Sequence, residues 1–401
     1  MQPSHSKLFT LALILTALMI GLIFTHSPGT TDVDIWRAWT NNAIARGPVE
    51  GYAANQADYP PLATAILFGA NWLFGRLGAP VFLSIKLAIL AFLLLSVLLF
   101  WLWTRSLGAV LILYFGLVLN STALGYIDIF FAPGLILSLW MLQRRRWGLF
   151  SLFYALTCLT KWQPLIIAPF IGLYCFGARG RQGWKEIRRL LPGLLIPGGA
   201  AALALVLAFG PQPVWLALKA SLSHPYLSGN ALNLNWIITH FLHVFRPNEF
   251  GGLQNGLAGY ILTSDPRITA IPRLLFLGAY LLALAVFTRR EKHFENLLVF
   301  SIAGFLGYFT FNTGVHENHL FLVTILAAVL LWLNPARRAA AIGLILAANI
   351  NLFLFYGVDG ALHFPRLFLG LDLALPLAAF NVLFFTYFIF AAVRDGKRPA
   401  S

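Results

Sequence analysis

The chain has 401 residues, of which 59% are hydrophobic and only 10% charged, and its formal net charge is +14. Soluble globular proteins carry about 25% charged residues, and the mean hydropathy here is +0.78. A soluble enzyme is therefore excluded, and the chain reads as an all-α polytopic membrane protein, a single integral membrane domain over 1–401. The two cysteines, Cys158 and Cys175, fall inside apolar stretches and read as small core residues, not as a disulfide or metal pair.

The first apolar run, Leu8–Phe24, follows Lys7 and reads as a retained span, because no small-x-small cleavage site follows in Thr25-His26-Ser27-Pro28. A crossing needs about 20 apolar residues. Taken in order, spans are expected near 8–25, 80–103, 107–124, 127–143, 147–160, 163–177, 190–210, 270–288, 294–311, 319–334, 339–357 and 370–393, about twelve in all. The apolar helix expected at 61–75 is short and suits an interfacial or re-entrant position better. Two longer polar intervals remain, a first loop at 26–79 and a second at 211–269.

The basic residues cluster in alternate connections. Lys7, Arg105, Arg144 to Arg146, Arg179 to Arg189, Arg289 to Lys292, Arg337, Arg338 and the tail from Arg394 hold 18 of the 28 Lys and Arg residues, beside only four acids. The other connections carry ten bases and ten acids, so the whole net charge sits on one face. By the positive-inside rule that face is cytoplasmic, with both termini on it. Membrane topology thus accounts for the basic balance without nucleic acid. The acids gather on the extracytoplasmic side, in a plasma membrane if the source is prokaryotic.

Asp32 and Asp34 stand two apart before a helical pattern, Ile35–Arg46, that stops at Gly47-Pro48. Helix capping by Thr31 or Asp32 is one reading. A general base at the membrane surface, with the second carboxylate on sugar hydroxyls or on a divalent cation such as Mg or Mn, is the other. Asp58-Tyr59-Pro60-Pro61-Leu62 makes a stiff joint into the next helix. Asp128, among apolar neighbours at a hairpin tip, is a functional candidate by default.

Lys161, in Thr160-Lys161-Trp162-Gln163, is a lone cation on the acidic side, suited to a lipid phosphate or to snorkelling. His316 and Glu317 open a late span within a row of polar side chains, and no HExxH spacing is present. In the second loop, Asn233 and Trp236 suit either a sugar or ordinary turn chemistry. Arg267 suits either snorkelling or an anionic headgroup.

Together these residues resemble the GT-C superfamily of polytopic glycosyltransferases that use polyprenyl-phosphate sugars, and in particular the dolichyl-phosphate-glucose glucosyltransferase branch and its prokaryotic relatives. Three blocks carry the resemblance: Asp32-Val-Asp34-Ile-Trp-Arg37-Ala-Trp39, then Asp58-Tyr59-Pro-Pro-Leu, then Val315-His316-Glu317. Asp128 and Lys161-Trp-Gln163 match weaker family positions. The resemblance implies a GT-C-like bundle and an inverting transfer of glucose or mannose to a lipid or glycan hydroxyl. It also implies Asp32 as catalytic base assisted by Asp34, and Lys161, His316 and Arg267 toward the donor phosphate. Arg37, Trp39, Asp58, Tyr59, Asp128, Gln163, Asn233, Trp236 and Glu317 are then candidates for substrate contact. The family's second acid is often glutamate where this chain has Asp34. A transporter or flippase of a lipid-linked sugar is the rival reading; it would place ionisable groups at mid-span, whereas these acids fall at the tips.

Overall fold

The structure is a computed structural model that describes residues 3–177, 183–361 and 365–395. Arg179, Arg181, Lys397 and Arg398 of the basic clusters lie outside these residues, as does 362–364. The described chain is almost entirely helical, and its strands are one short antiparallel pair, Leu367–Phe368 with Leu371–Asp372.

It begins with α1 (Pro3–Phe24), α2 (Asp32–Arg46), α3 (Pro48–Asn55), α4 (Pro61–Gly75) and α5 (Val81–Thr104). Among the described residues six helices are long and apolar enough to cross a bilayer: Val81–Thr104, Leu190–Phe209, Pro266–Thr288, Phe294–Phe311, Pro335–Tyr356 and Ala374–Arg394. This is a multi-pass membrane protein. The other expected spans appear as shorter apolar helices, such as Trp147–Cys158 and Gln163–Gly177. At 1.5 Å per residue, these fall well short of the roughly 30 Å hydrocarbon core.

The core is built by the late helices. Phe294–Phe311 and Phe321–Leu333 are buried along most of their length, whereas Leu190–Phe209 and Pro266–Thr288 turn large apolar side chains outward. Outward apolar surface is what lipid requires of a peripheral helix.

Two sets of connections meet at opposite ends of the bundle. At one end Trp103 Nε1 donates to Gln143 (2.8 Å), Arg290 to the Val393 carbonyl (2.8 Å), and Arg337 to Glu295 (3.1 Å). At the other, Gly29 N donates to Asp359 O, Thr30 N to Leu124 O, Leu62 N to Leu159 O, and Gly314 N to Tyr226 O. The interval 211–269 is not mere loop. It contains helices Pro211–Leu222 and Leu234–Phe245, followed by a short helix and extended chain.

Candidate functional site

The acidic end is organised by the turn from α1 into α2. Lys86, fully buried near the start of α5, donates to Ser27 Oγ (3.1 Å) and to the carbonyls of Thr122 (2.7 Å) and Ala123 (3.2 Å). Those carbonyls end a π-helical turn, Leu119–Ala123, a distortion that often marks functional sites. Just beyond it Thr30 N donates to Leu124 O (2.9 Å) and Trp36 Nε1 to Gly125 O (3.1 Å). Gly125 has φ +81° and lies so close to the Val33 side chain that no Cβ fits there. The start of α2 is therefore held at three points by the Leu124-Gly125 turn.

Asp32 is the first residue of α2, and Thr31 makes no capping bond through its side chain. Capping therefore does not account for the acids. Asp32 is half-buried, and among the described residues no hydrogen bond or ion pair engages its carboxylate. Burial raises its pKa to about 6; Lys161 opposes the rise, and Asp128 and Asp58 add to it. An unpartnered carboxylate tuned toward neutrality is suited to accept a proton.

Asp34 goes the other way. Residues two apart on a helix point about 200° apart, and Asp34 is 76% exposed in a 3.0 Å ion pair with Arg37. The two acids share no face, and Arg37 already occupies Asp34. A divalent cation at Asp32 and Asp34 therefore does not fit this geometry. Arg37 itself is half exposed on that outer face.

Behind Asp32 lies an aromatic wall. Trp36, Trp39 and Tyr59 pack edge to face with ring centroids 4.8 to 5.6 Å apart, and all three are buried. The Lys161 ammonium sits over the Tyr59 ring, 4.0 Å from its centroid, and bonds the Tyr59 hydroxyl. Lys161 also makes a 2.5 Å ion pair with Asp128, at side-chain exposures of 10% and 0%. Asn318 Nδ2 donates to the other Asp128 oxygen (2.9 Å). Asp128 and Lys161 thus neutralise each other inside the site. Gln163, one residue past Trp162, is buried with neither side-chain group hydrogen-bonded. A native buried amide left wholly unpaired calls for a partner.

Asp58 is reached by a residue that the sequence reading did not single out, His224. His224 Nε2 lies 3.1 Å from Asp58 Oδ2, and its Nδ1 lies 3.1 Å from His316 Nε2. The turn at Glu317–Leu320 fixes the proton positions, because the His316 side chain accepts the backbone N–H of His319. His316 then carries its proton on Nε2 and donates to His224, which donates to Asp58. Burial holds the His316 pKa down to about 4, with His224 and Lys161 acting the same way and Asp58 opposing. Burial alone would raise the Asp58 carboxyl. The hydrogen bond from His224 and the Lys161 charge outweigh it and hold Asp58 below its ordinary value.

The second long interval closes the site through backbone pairing. Gly229 N donates to Val315 O (2.8 Å), and Glu317 N donates to Gly229 O (3.1 Å). A Cβ on Gly229 would lie 2.5 Å from His316 Nδ1. Gly229→Ala is therefore expected to cost about 1–3 kcal/mol and to loosen the histidine pair. Thermal unfolding of the purified variant checks this. Glu317 is buried and accepts hydrogen bonds on Oε1 from Tyr126 (2.5 Å) and Tyr356 (3.1 Å).

Of the residues singled out by sequence, the fold thus gathers Asp32, Asp58, Tyr59, Asp128, Lys161, Gln163, His316 and Glu317, with Trp39 behind them. Others have different surroundings. Asn233 caps the Leu234–Phe245 helix by accepting Trp236 N (3.0 Å) and donates to Phe309 O (2.9 Å). Trp236 is fully buried against Phe355. Both are structural here. Arg267 is 83% exposed and clasps Asp265 at the start of the Pro266–Thr288 helix.

No protein-family model matches the chain, and no curated protein matches it significantly.

Proposed function

We propose that the protein is an inverting glycosyltransferase that moves a hexose, glucose or mannose, from a polyprenyl-phosphate carrier to a hydroxyl of a lipid or glycan acceptor. The reading includes a GT-C-like bundle of about twelve crossings, cytoplasmic termini and an extracytoplasmic site. The observation that carries it is Asp32: a half-buried, unpartnered carboxylate with its pKa raised to about 6, at the end of a membrane bundle where the charged groups converge.

The acceptor oxygen attacks the anomeric carbon and its proton passes to Asp32. The bond from that carbon to the phosphate oxygen breaks, and the electron pair leaves with the polyprenyl phosphate. A phosphate is already a good leaving group, so one carboxylate suffices, unlike glycoside hydrolysis with its two flanking carboxyls. The charge growing on phosphate needs cations and dipoles nearby. Lys161, which keeps one N–H beyond those on Asp128 and Tyr59, and the unpaired Gln163 amide are the available donors. The isoprenoid tail stays in lipid and contributes about 0.8 kcal/mol per buried CH₂, which leaves the polar contacts free to orient the sugar.

Asp34 has no part in this step. Asp34→Asn removes an exposed ion pair of the kind that contributes about 0–1 kcal/mol, and transfer is expected to persist near the parent rate. Incubating the purified protein with a panel of polyprenyl-phosphate hexoses, then analysing the lipid and glycan products by mass, tests the reading. Absence of any new glycosidic bond across the panel would count against it.

A further inference from the structure

The strand pair Leu367–Phe368 with Leu371–Asp372 is a hairpin closed by two residues, Leu369 and Gly370. Both have positive φ, +49° and +80°, as the tight hairpin turn with the twist of its strands requires. Asn-Gly or Asp-Gly ordinarily fills such a turn, and a bulky side chain at positive φ is an outlier. The leucine at this apex is also 92% exposed. In water that residue is unfavourable twice over, in backbone conformation and in apolar exposure.

The base of the hairpin is polar and tightly held. Arg366 grips Asp372 through two hydrogen bonds of 2.9 Å, donates to Ala258 O (2.6 Å) and lies over the Trp236 and Phe355 rings. Asp372 is buried and also accepts Ala258 N (3.3 Å) and Ala374 N (3.0 Å). The register sets Leu367 opposite Asp372 and Phe368 opposite Leu371. Opposite residues share a face, and neighbours along a strand alternate. Asp372 points inward, so Phe368 and Leu371 stand together on the outer face, and both are exposed. No charged residue lies between Arg366 and Asp372.

The element that follows indicates what covers these side chains. The hairpin runs through Leu373 into the helix Ala374–Asp395, which contains the spanning stretch Ala374–Arg394 and begins at the site end of the bundle. Exposed Phe380, Leu383, Tyr387 and Phe390 recur along it at steps of three and four, and so form one lipid-facing stripe. Exposed Pro376 carries that stripe up to the first turn. At about 3.3 Å per residue, the apex lies within roughly 16 Å of Ala374, close enough to reach the lipid boundary. Open strand edges do not enter hydrocarbon, so the strands belong among headgroups with only their apolar side chains deeper.

We infer that this hairpin is a membrane anchor. Phe368, Leu369 and Leu371 seat in the lipid leaflet at the site end of the bundle, and the Arg366–Asp372 pair ties the second long interval to that surface through Ala258 and Trp236. The inference is independent of the glycosyl-transfer reading. The two native cysteines are buried, so a nitroxide on Leu369→Cys reports one position. The purified protein is placed in lipid nanodiscs, and collisions of the label with oxygen, which concentrates in lipid, are compared with those of a water-soluble nickel chelate. A label on Asp34→Cys, at an exposed ion-paired position, supplies the aqueous reference. The expected oxygen-to-nickel ratio at 369 is several-fold above that reference. Should the label at 369 lower the unfolding midpoint, Phe368→Cys decides instead. A ratio equal to the reference leaves the hairpin in water and overturns the inference. Few collisions with either reagent would place the tip against protein, a second copy of the chain for example, and would overturn it as well.

Discussion

Asp32→Asn should abolish transfer while leaving the protein folded. General-base catalysis contributes typically about 10²–10⁴-fold, and the asparagine keeps the volume of the side chain while losing its basicity. No structural partner is lost, because the Asp32 carboxylate has none among the described residues. Stability should even rise slightly, since a half-buried charge disfavoured by its surroundings has been removed. The pH profile carries the same signature with a definite sign. Only the ionised carboxylate can accept a proton, and burial places that ionisation near pH 6. Transfer at limiting donor by the parent protein should therefore fall as pH drops through about 6. Product analysis against pH, with unfolding of the variant as the control, measures both. A variant with normal turnover removes Asp32 from the chemistry.

The largest stability effect is expected at Lys161. Removing one partner of a buried ion pair leaves the other charge uncompensated and typically costs about 3–5 kcal/mol. Lys161→Met would strand Asp128, which is fully buried and keeps only Asn318 and the more distant Tyr59 hydroxyl. Adding Asp128→Asn should recover most of the loss, because the stranded charge is gone. Unfolding midpoints for the two single variants and the double variant complete the cycle. Equal and additive losses would show that the two groups act independently. If the pair also serves chemistry, the double variant will be folded and slow, a separation that midpoints and rates together resolve.

Some of this arrangement is legible in the sequence and some is not, for physical reasons. Apolar runs of membrane length announce the helices, and the alternation of basic and neutral connections announces two ends. The convergence of Asp32, Asp58 and His316 follows once those ends are known. The separation of Asp32 from Asp34 was also present in the sequence, since an acid pair two apart on a helix cannot face one way. Asn233 likewise reads as an N-cap once Leu234–Phe245 is taken as a helix.

His224 is different. Its partners lie 166 positions earlier and 92 later, and no local pattern around His224-Pro225-Tyr226 points to either. The pairing of Lys161 with Asp128 and the burial of Lys86 among carbonyls are also tertiary facts. Each charge looks exposed or snorkelled until the chain that covers it is in place.

The central claim is that Asp32 deprotonates an acceptor hydroxyl as a hexose leaves its polyprenyl phosphate. It is tested most directly by reconstituting the purified protein in lipid with radiolabelled polyprenyl-phosphate glucose or mannose and candidate acceptors. The account predicts a labelled product whose anomeric configuration is opposite to that of the donor, together with free polyprenyl phosphate, and neither of these with Asp32→Asn. Labelled donor that crosses the bilayer intact, with no new glycosidic bond in any acceptor, would contradict it and identify a carrier of lipid-linked sugar instead.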